Sequence, residues 1–581
     1  MALSASQADA APATRHPLRV RWLGRVAYAE AWALQRALFR SPQDHLLLLE
    51  HPPTYTLGVR ARPEHVLGDV TALGAELLRV DRGGDVTFHG PGQLVGYPIV
   101  SVAGKRGGGM ADTVAYVEGI EQVVIDALAD LGLAGAARLP GHPGVWLDPD
   151  GPQPRKAAAI GVKLTRGRSM HGFALNVDTD LDWFDHIVPC GLAGKAVTSL
   201  RAEGIEASMA EVVDAVARRF AARFAPGRPV ERAGVVFRSD PDSLAPFSRG
   251  AGPGAPVRPS RPAPTAAPAA GGVAVRLQGR LAAAGVTGGL DVSARKPAWM
   301  RVKLRTDDRF RQLQRTARDL DLHTVCEEAG CPNIFECWNA GTATFMLLGE
   351  RCTRACGFCL IDTSKPAPPD PDEPAKVAEA ADRLGLEFVV LTMVARDDLA
   401  DGGAASVAAT IDAIRARRPG AGVEVLISDL KGDADALDRV LAARPDVLNH
   451  NIETVARLQR AVRPSASYAR SLALLARAGA AGATTKSGII VGMGETFDEV
   501  VATLADLAAV GVRIVTVGQY LRPTTTHLPV SRWWEPAEFD RLRHIGEVEL
   551  GLAHVEASPL TRSSYHAAAA ADAAGPLRPA P

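Results

Sequence analysis

Six of the seven cysteines stand in two tight triplets, Cys326, Cys331 and Cys337, then Cys352, Cys356 and Cys359, while Cys190 stands alone far upstream. Thiolates are soft donors that select zinc or iron–sulfur clusters. The second triplet has C-x3-C-x2-C spacing, a strong signature of a 4Fe-4S cluster that three sulfurs hold and whose fourth iron has no protein ligand. An iron with an open position can do chemistry. Structural zinc is the bland alternative, but zinc sites close with four ligands, commonly as paired C-x2-C elements, and no second pair occurs here. The upstream triplet, C-x4-C-x5-C, makes two separate clusters more natural than one shared site.

Cys190 lies in DWFDHIVPCGLAGKAVTSL, where Pro before it and Gly after it imply a turn that presents the thiol. A lone cysteine is more often a small buried hydrophobe than a nucleophile. Its company changes the reading. A Gly-rich segment with His89, RGGDVTFHGPGQLVGYP, runs from Arg82 to Pro98, RKAAAIGVKL offers Lys156, and HGFALNV begins at His171.

The elements that must position these residues fall into two halves. A chain of 581 residues exceeds one ordinary core, and domains of roughly 100 to 200 residues suggest two to four units. The tract from Arg249 to Val273 is Pro-, Ala- and Gly-rich and reads as a linker, with 249–296 as the connecting region and a short helix allowed between Ala274 and Lys296. The Ala-rich stretch 567–581 reads as a disordered tail. The units expected are 18–248 and 297–566. In the first, Val26 to Phe39 and Asp112 to Leu131 read as helices, and His45 to Glu50, Ala158 to Leu164 and His171 to Val177 as strands, an α+β mixture. In the second, strand-like runs at Thr344–Leu348, Phe388–Thr392, Val423–Ser428, Val447–His450, Lys486–Val491 and Ile514–Gln519 alternate with helical stretches. Six βα units predict a partial (β/α)6 barrel of the TIM type, an α/β multidomain chain overall. Working loops in such barrels follow the strands, and Cys352, Cys356 and Cys359 come directly after the first run.

Lys plus Arg equal Asp plus Glu at 65 each, which removes the electrostatic argument for a nucleic-acid partner. No run of about 18 apolar residues predicts a membrane span. The N-terminal residues lack a secretory pattern, so a cytoplasmic location is expected, where cysteines serve as ligands or nucleophiles.

The second half resembles the radical S-adenosylmethionine family, and CEEAGCPNIFEC narrows the resemblance to lipoyl synthases. RDDLADGG, NHNIETV, VRPSASYARSL, TKSGIIVGMGET and RSSY carry the same likeness. The resemblance implies two 4Fe-4S clusters and S-adenosyl-L-methionine. Cys352, Cys356 and Cys359 would hold the radical-generating cluster, and Cys326, Cys331 and Cys337 an auxiliary cluster with Ser564 as its unusual fourth ligand, ahead of Ser563. S-Adenosylmethionine cleaved by one electron would give methionine and a 5'-deoxyadenosyl radical, which abstracts hydrogen at C6 and C8 of an octanoyl chain on a protein lysine. Sulfur would come from the auxiliary cluster, and a hard serine oxygen is easier to release than a fourth thiolate. Gly402 and Gly403 follow the second strand, where backbone can approach a cofactor, although a GG pair is more often a plain turn. Methylthiotransferases and biotin synthases are disfavoured by the compact upstream triplet.

The first half resembles the lipoate and biotin ligase-like acyltransferases, most closely the octanoyl-carrier-protein:protein octanoyltransferases. The resemblance implies that Cys190 attacks the thioester of octanoyl-acyl carrier protein and that Lys156 is its partner. A nearby ammonium stabilises a thiolate. The acyl group would then pass to a lysine of a lipoyl domain, with Lys156 as base. Arg82, Gly83, Gly84, Asp85, Val86, Thr87, Phe88 and His89, with Ala159, Ile160, Gly161, Gly172, Phe173 and Ala174, would line the acyl site, Gly90 and Gly92 would help backbone form it, and N–H groups near Gly161 and Gly172 would serve the oxyanion. His89 reads as structural or lining rather than catalytic. The implied partners are the acyl carrier, the lipoyl domains of 2-oxoacid dehydrogenases and the glycine cleavage H protein, and an electron donor of ferredoxin or flavodoxin type. Rival readings make the first half an ATP-dependent lipoate ligase or a mere docking module.

Overall fold

The computed structural model describes residues 16–104, 111–188, 196–237, 271–291, 294–300, 308–328, 331, 333–339 and 343–575. Two compact units emerge, Met1–Arg25 with Leu38–Ala233, and Val26–Ala37 with Gly234–Pro581. The helix read from Val26 to Phe39 is found at Tyr28–Arg40.

Strands of the first unit are β1 (Leu18–Arg25), β2 (His45–Glu50), β3 (Thr54–Leu57), β4 (Glu76–Arg79), β5 (Val86–His89), β6 (Gln93–Ile99), β7 (Ala137–Leu139), β8 (His142–Leu147), β9 (Arg155–Thr165), β10 (Arg168–Asn176), β11 (Ala196–Val197) and β12 (Val230–Gly234). Among the described residues they form a nine-stranded mixed sheet, β12-β1-β2-β6-β10-β9-β8-β7 with β11 on β9, and a three-stranded sheet, β4-β3-β5. β2 and β6 are near-continuous apolar runs because both lie inside the sheet, buried along almost their whole length. The helix Thr113–Asp130 starts where the Asp112 side chain accepts from the Ala115 N–H, and Met209–Phe224 starts with a Ser208/Glu211 capping box. Each turns an apolar stripe inward, Ile120, Val123 and Ala127 from one and Val212, Val216 and Phe220 from the other.

The second unit adds β13 (Thr344–Leu347), β14 (Phe388–Met393), β15 (Gly422–Leu426), β16 (Val447–Asn449), β17 (Thr484–Val491), β18 (Ile514–Gln519) and β19 (His554–Ala557). They pair in chain order and all in parallel. The six expected strands are present, and β19 adds a seventh on β18. The core is aliphatic, with Val389, Leu391, Val423, Val425 and Leu448 among its buried members. Because every strand runs the same way, the loops after β13 to β17 share one end of the sheet.

The C-terminal stretch departs from the expectation of disorder. Ala567–Ala574 is a helix whose Ala570 and Ala574 pack against Val447 and Ile514, and Arg513 donates to the Ala574 carbonyl. Alanine is the best helix former, and a small-residue face can seat closely on strands. Residues 249–270 and 576–581, including most of the linker tract, lie outside the described residues. The tract's last residues begin a helix, Gly271–Ala283.

Candidate active sites in the two units

In the first unit a single strand divides two environments. Alternation along β5 sends Val86 and Phe88 into a small aromatic core, where Phe88 stacks on Trp183 at 5.2 Å and meets Phe184 edge-on at 5.6 Å. Thr87 faces the other way, into a small cavity also lined by Gln93, Lys156, Ala159, Ala174, Asn176, Phe184 and Val197. Lys156 and Ala159 are an odd number of positions apart and still share this cavity. The register slips by one residue there, with Val145 opposite Ala158 but Trp146 opposite Lys156, so a bulge re-aims the lysine.

Neighbours on β8 hold the Lys156 head. Its Nζ donates to the Pro143 carbonyl at 3.2 Å and lies 4.6 Å from the centre of the Trp146 ring. Gly144, at φ 136°, leaves the space: a methyl group there would stand 2.6 Å from the Ala158 carbonyl oxygen and 3.1 Å from Lys156 Cε. Glu121 holds that strand by accepting the Gly144 N–H at 2.9 Å while pairing with Arg138 at 2.9 Å.

Cys190 lies outside the described residues. Both flanks of its segment are placed. Upstream, Val188 N–H donates to the His65 carbonyl at 2.8 Å, and the His65 ring meets Asp85 at 2.6 Å. Downstream, Val197 of β11 pairs with Lys156 itself, and Thr198 N–H donates to the Lys156 carbonyl at 3.0 Å.

Arg82 is a backbone clamp rather than a surface charge. It is buried and donates to the Thr56 hydroxyl at 3.1 and 2.8 Å and to the carbonyls of Thr56 at 2.6 Å and Gly83 at 3.0 Å. His89 is buried between Thr56 Oγ1 at 3.3 Å and Gln93 Oε1 at 2.8 Å, and burial with nearby His51 and Arg82 holds its pKa well below the usual imidazole value. Gln93 continues to Asn176 at 2.9 Å, and Asn176 to the Thr198 carbonyl at 3.0 Å. A buried polar chain thus reaches from β5 to Thr198, the residue directly after β11. Gly83 N–H donates to the Val162 carbonyl at 3.0 Å, and Gly84 turns at φ 92°. Gly161 faces Gly172, and Ile160 faces Phe173, across the β9–β10 ladder. A methyl on Gly161 would stand 2.9 Å from the Gly83 carbonyl oxygen and one on Gly172 2.1 Å from that of Gly96, so both are close-packing positions.

In the second unit the loop after β13 carries Cys352, Cys356 and Cys359. Cys352 N–H donates to the Asp362 carbonyl at 2.8 Å, Gly357 N–H to that of Val462 at 2.9 Å, and His527 Nε2 meets the Cys359 carbonyl at 2.9 Å. All three are free thiols, and burial pushes each upward, Cys356 to about 11. Facing them after β16 are Glu453, whose carboxyl burial raises, and Arg463, which donates to the carbonyls of Asn451 and Ile452 at 2.9 and 3.1 Å. Asn451 Oδ1, Thr454 Oγ1, both amide atoms of Gln459 and Ser465 Oγ are buried with no partner. Gly402 and Gly403 both have positive φ and open the helix Ala404–Arg417.

The first triplet sits on short helices before β13. Cys326 lies on Val325–Glu328 by its backbone, Cys337 lies on Ile334–Asn339, and Cys331 falls between them. Asn333 Nδ2 donates to the Leu560 carbonyl at 2.7 Å, and the Arg562 guanidinium is near enough to Cys331 to act on its thiol. RSSY is therefore brought to this triplet, with Ser563 and Ser564 half-buried. Sequence reasoning missed Gly144, Trp146, Gln93, Asn176, Asn333 and the partners of Arg354 described below.

Residues 346–507 match the radical SAM superfamily, 287–331 the N-terminal domain of lipoyl synthase, and 27–221 the lipoyl protein ligase A/B catalytic domain. The lipoyl synthase of Rubrobacter xylanophilus is 54% identical over 274 residues, 47% of this chain and 85% of that protein. That of Symbiobacterium thermophilum is 57% identical over 279 residues, 48% and 87% of the two chains. A solved putative lipoate protein ligase from T. acidophilum with bound lipoic acid is 20% identical, with a TM-score of 0.31, over 38% of this chain and 90% of that one. The parallel sheet with its thiol loop is that of a radical SAM enzyme. The chain belongs to the lipoyl synthase family, with a lipoyl protein ligase A/B catalytic domain ahead of it in the same polypeptide.

That family implies iron–sulfur clusters and S-adenosylmethionine, and the residues fit both. Free, desolvated thiols suit a soft cluster. Orphaned polar atoms beside Glu453 and Arg463 suit a ligand that carries both charges and hydroxyls.

Proposed function

We propose that this chain makes protein-bound lipoate in two consecutive steps, octanoyl transfer in the first unit and sulfur insertion in the second. The observation that carries the first step is Lys156, a buried side-chain amine aimed into a cavity and paired through β11 to the segment that follows Cys190. Cys190 attacks the thioester of an octanoyl-acyl carrier protein, the carrier thiol leaves, and the acyl group becomes an enzyme thioester. The ε-amine of a lipoyl-domain lysine then takes it as an amide, and Lys156, in its neutral form, receives the amine proton and passes it to the departing Cys190 sulfur, which restores the thiol. Thr87, Ala159 and Ala174 line the acyl path, Arg82 and Asp85 hold its loop, and N–H groups near Gly161 and Gly172 serve the oxyanion. The recipients are lipoyl domains of 2-oxoacid dehydrogenases and the glycine cleavage H protein, and the setting is the cytoplasm.

In the second unit, Cys352, Cys356 and Cys359 hold one 4Fe-4S cluster, and Cys326, Cys331, Cys337 and Ser564 hold another. When bound, the clusters and S-adenosylmethionine, with an electron from a ferredoxin or flavodoxin type donor, supply radical hydrogen abstraction at C6 and C8 and the sulfur that replaces it. The chain's own part is to exclude water from the thiols and to seat the polar cofactor against Asn451, Glu453, Thr454 and Arg463.

Incubation of the full chain with octanoyl-acyl carrier protein and a lipoyl domain, without ATP, is expected to add an octanoyl mass that Cys190→Ala abolishes. An ATP requirement with Cys190→Ala active would replace the transferase reading by that of a ligase.

A further inference from the structure

Arg354 lies inside the thiol loop, between Cys352 and Cys356, and its side chain turns away from solvent. Its Nε and one terminal nitrogen grip both oxygens of Asp397, after β14, at 2.8 and 2.7 Å, and that same nitrogen reaches Asp429, after β15, at 2.6 Å. All three are nearly buried, with side-chain exposures of 6%, 8% and 0%. Neighbouring Thr353 adds its own ties. Its N–H and hydroxyl both donate to the Ala395 carbonyl at 2.9 Å, and its hydroxyl accepts from Asp397 N–H at 3.0 Å. The Arg354 N–H points to the Cys352 sulfur at 3.4 Å.

We infer that Arg354 is a positioning residue for the iron–sulfur centre, bracing the loop against the ends of two strands so that its three thiols are preorganised before a cluster arrives. The inference rests on the reading of Cys352, Cys356 and Cys359 as ligands. A planar fork with fixed donors suits the task, because one guanidinium spans two carboxylates that a lysine ammonium cannot grip with the same geometry. The Arg354 N–H also gives the cluster's sulfur ligand a hydrogen bond, one of the levers by which protein sets a cluster's spectrum and potential. Partners that orient metal ligands typically matter by 10- to 100-fold in retention.

The test uses the full chain, reconstituted anaerobically with iron and sulfide, with iron content, chelator-driven iron loss and the electron paramagnetic resonance spectrum read with and without S-adenosylmethionine. Arg354→Lys, confirmed folded by circular dichroism and thermal melting, is expected to lose iron from this centre roughly 10- to 100-fold faster and to lose the spectral change caused by S-adenosylmethionine. A triple variant, Arg354→Met with Asp397→Asn and Asp429→Asn, removes these three charges together, while Arg470, 3.6 Å from Asp429, keeps Glu30 as its partner at 2.6 Å. It is expected to melt like the parent and still hold the cluster poorly. Native retention and spectrum in Arg354→Lys or in the triple variant overturn the inference. Cys356→Ala distinguishes the underlying reading: an unchanged centre there removes the ligand role of the thiols, whereas its loss there with native Arg354 variants removes only the brace.

Discussion

Asn333 Nδ2 donates to the Leu560 carbonyl at 2.7 Å across 227 positions of sequence. This bond carries the tail of the second unit to the first cysteine triplet. Two residues further on, Arg562 stands near Cys331.

Asn333→Ala removes the tie and leaves a part-buried carbonyl without its donor, a cost of about 1 kcal/mol. Iron held by the first triplet is expected to fall while cleavage of S-adenosylmethionine stays within about twofold and sulfur insertion drops roughly tenfold or more. Iron analysis beside product assays checks this. Equal loss of both activities would show a general unfolding instead.

Gly144→Ala pushes a methyl group against the Ala158 carbonyl and the end of Lys156. Misplacing a reacting group by about 1 Å can cost roughly 100-fold, so octanoyl transfer is expected to fall on that order while lipoyl formation on a pre-octanoylated domain is unchanged. Normal transfer by Gly144→Ala would remove the positional demand on Lys156.

Lys486 and Glu424 form a wholly buried pair, with Nζ 2.9 Å from each carboxylate oxygen and Asn449 donating to the same carboxylate at 3.0 Å. Lys486→Met strands the carboxylate and is expected to destabilise the second unit by about 3–5 kcal/mol. Adding Glu424→Leu recovers most of the loss. Denaturant melts of both variants decide it, and a double variant as unstable as the single would contradict the account.

His450 is buried between the Ile427 carbonyl at 2.9 Å and Ser471 Oγ at 2.9 Å, and burial together with Arg463 lowers its pKa to about 4, against the pull of Asp429. A histidine depressed in the fold favours the unfolded chain on protonation. Its contribution is present above about pH 6.5 and is lost as the pH falls toward 4, an order of 3 kcal/mol in all. Melts of the parent at pH 7 and pH 4.5 should differ more than those of His450→Gln. Equal differences would exclude His450 as the source.

Much of this was legible in the residues, for identifiable reasons. Buried strands are short apolar runs, so His45–Glu50 and Ile514–Gln519 were readable to the residue. HVEA of β19 was not, because it is four residues long and half polar. The Ala-rich tail was misread because low complexity signals disorder only when nothing can be buried, and Ala570 and Ala574 find a sheet to cover. The thiols and Lys156 announce themselves by type and spacing. Gly144, Trp146, Asp397 and Asp429 do not, since a bulge and ion pairs between separate loops leave no local pattern.

Whether one chain carries an unmodified lipoyl domain through both steps is read in a single reaction. The full chain is incubated anaerobically with octanoyl-acyl carrier protein, an unmodified lipoyl domain, S-adenosylmethionine and a reductant, and the domain's mass is followed in time. The octanoyl domain is expected to appear first and then give way to the lipoyl form. Conversion of a pre-octanoylated domain, with an unmodified domain left untouched by the octanoyl carrier, would contradict the two-step reading.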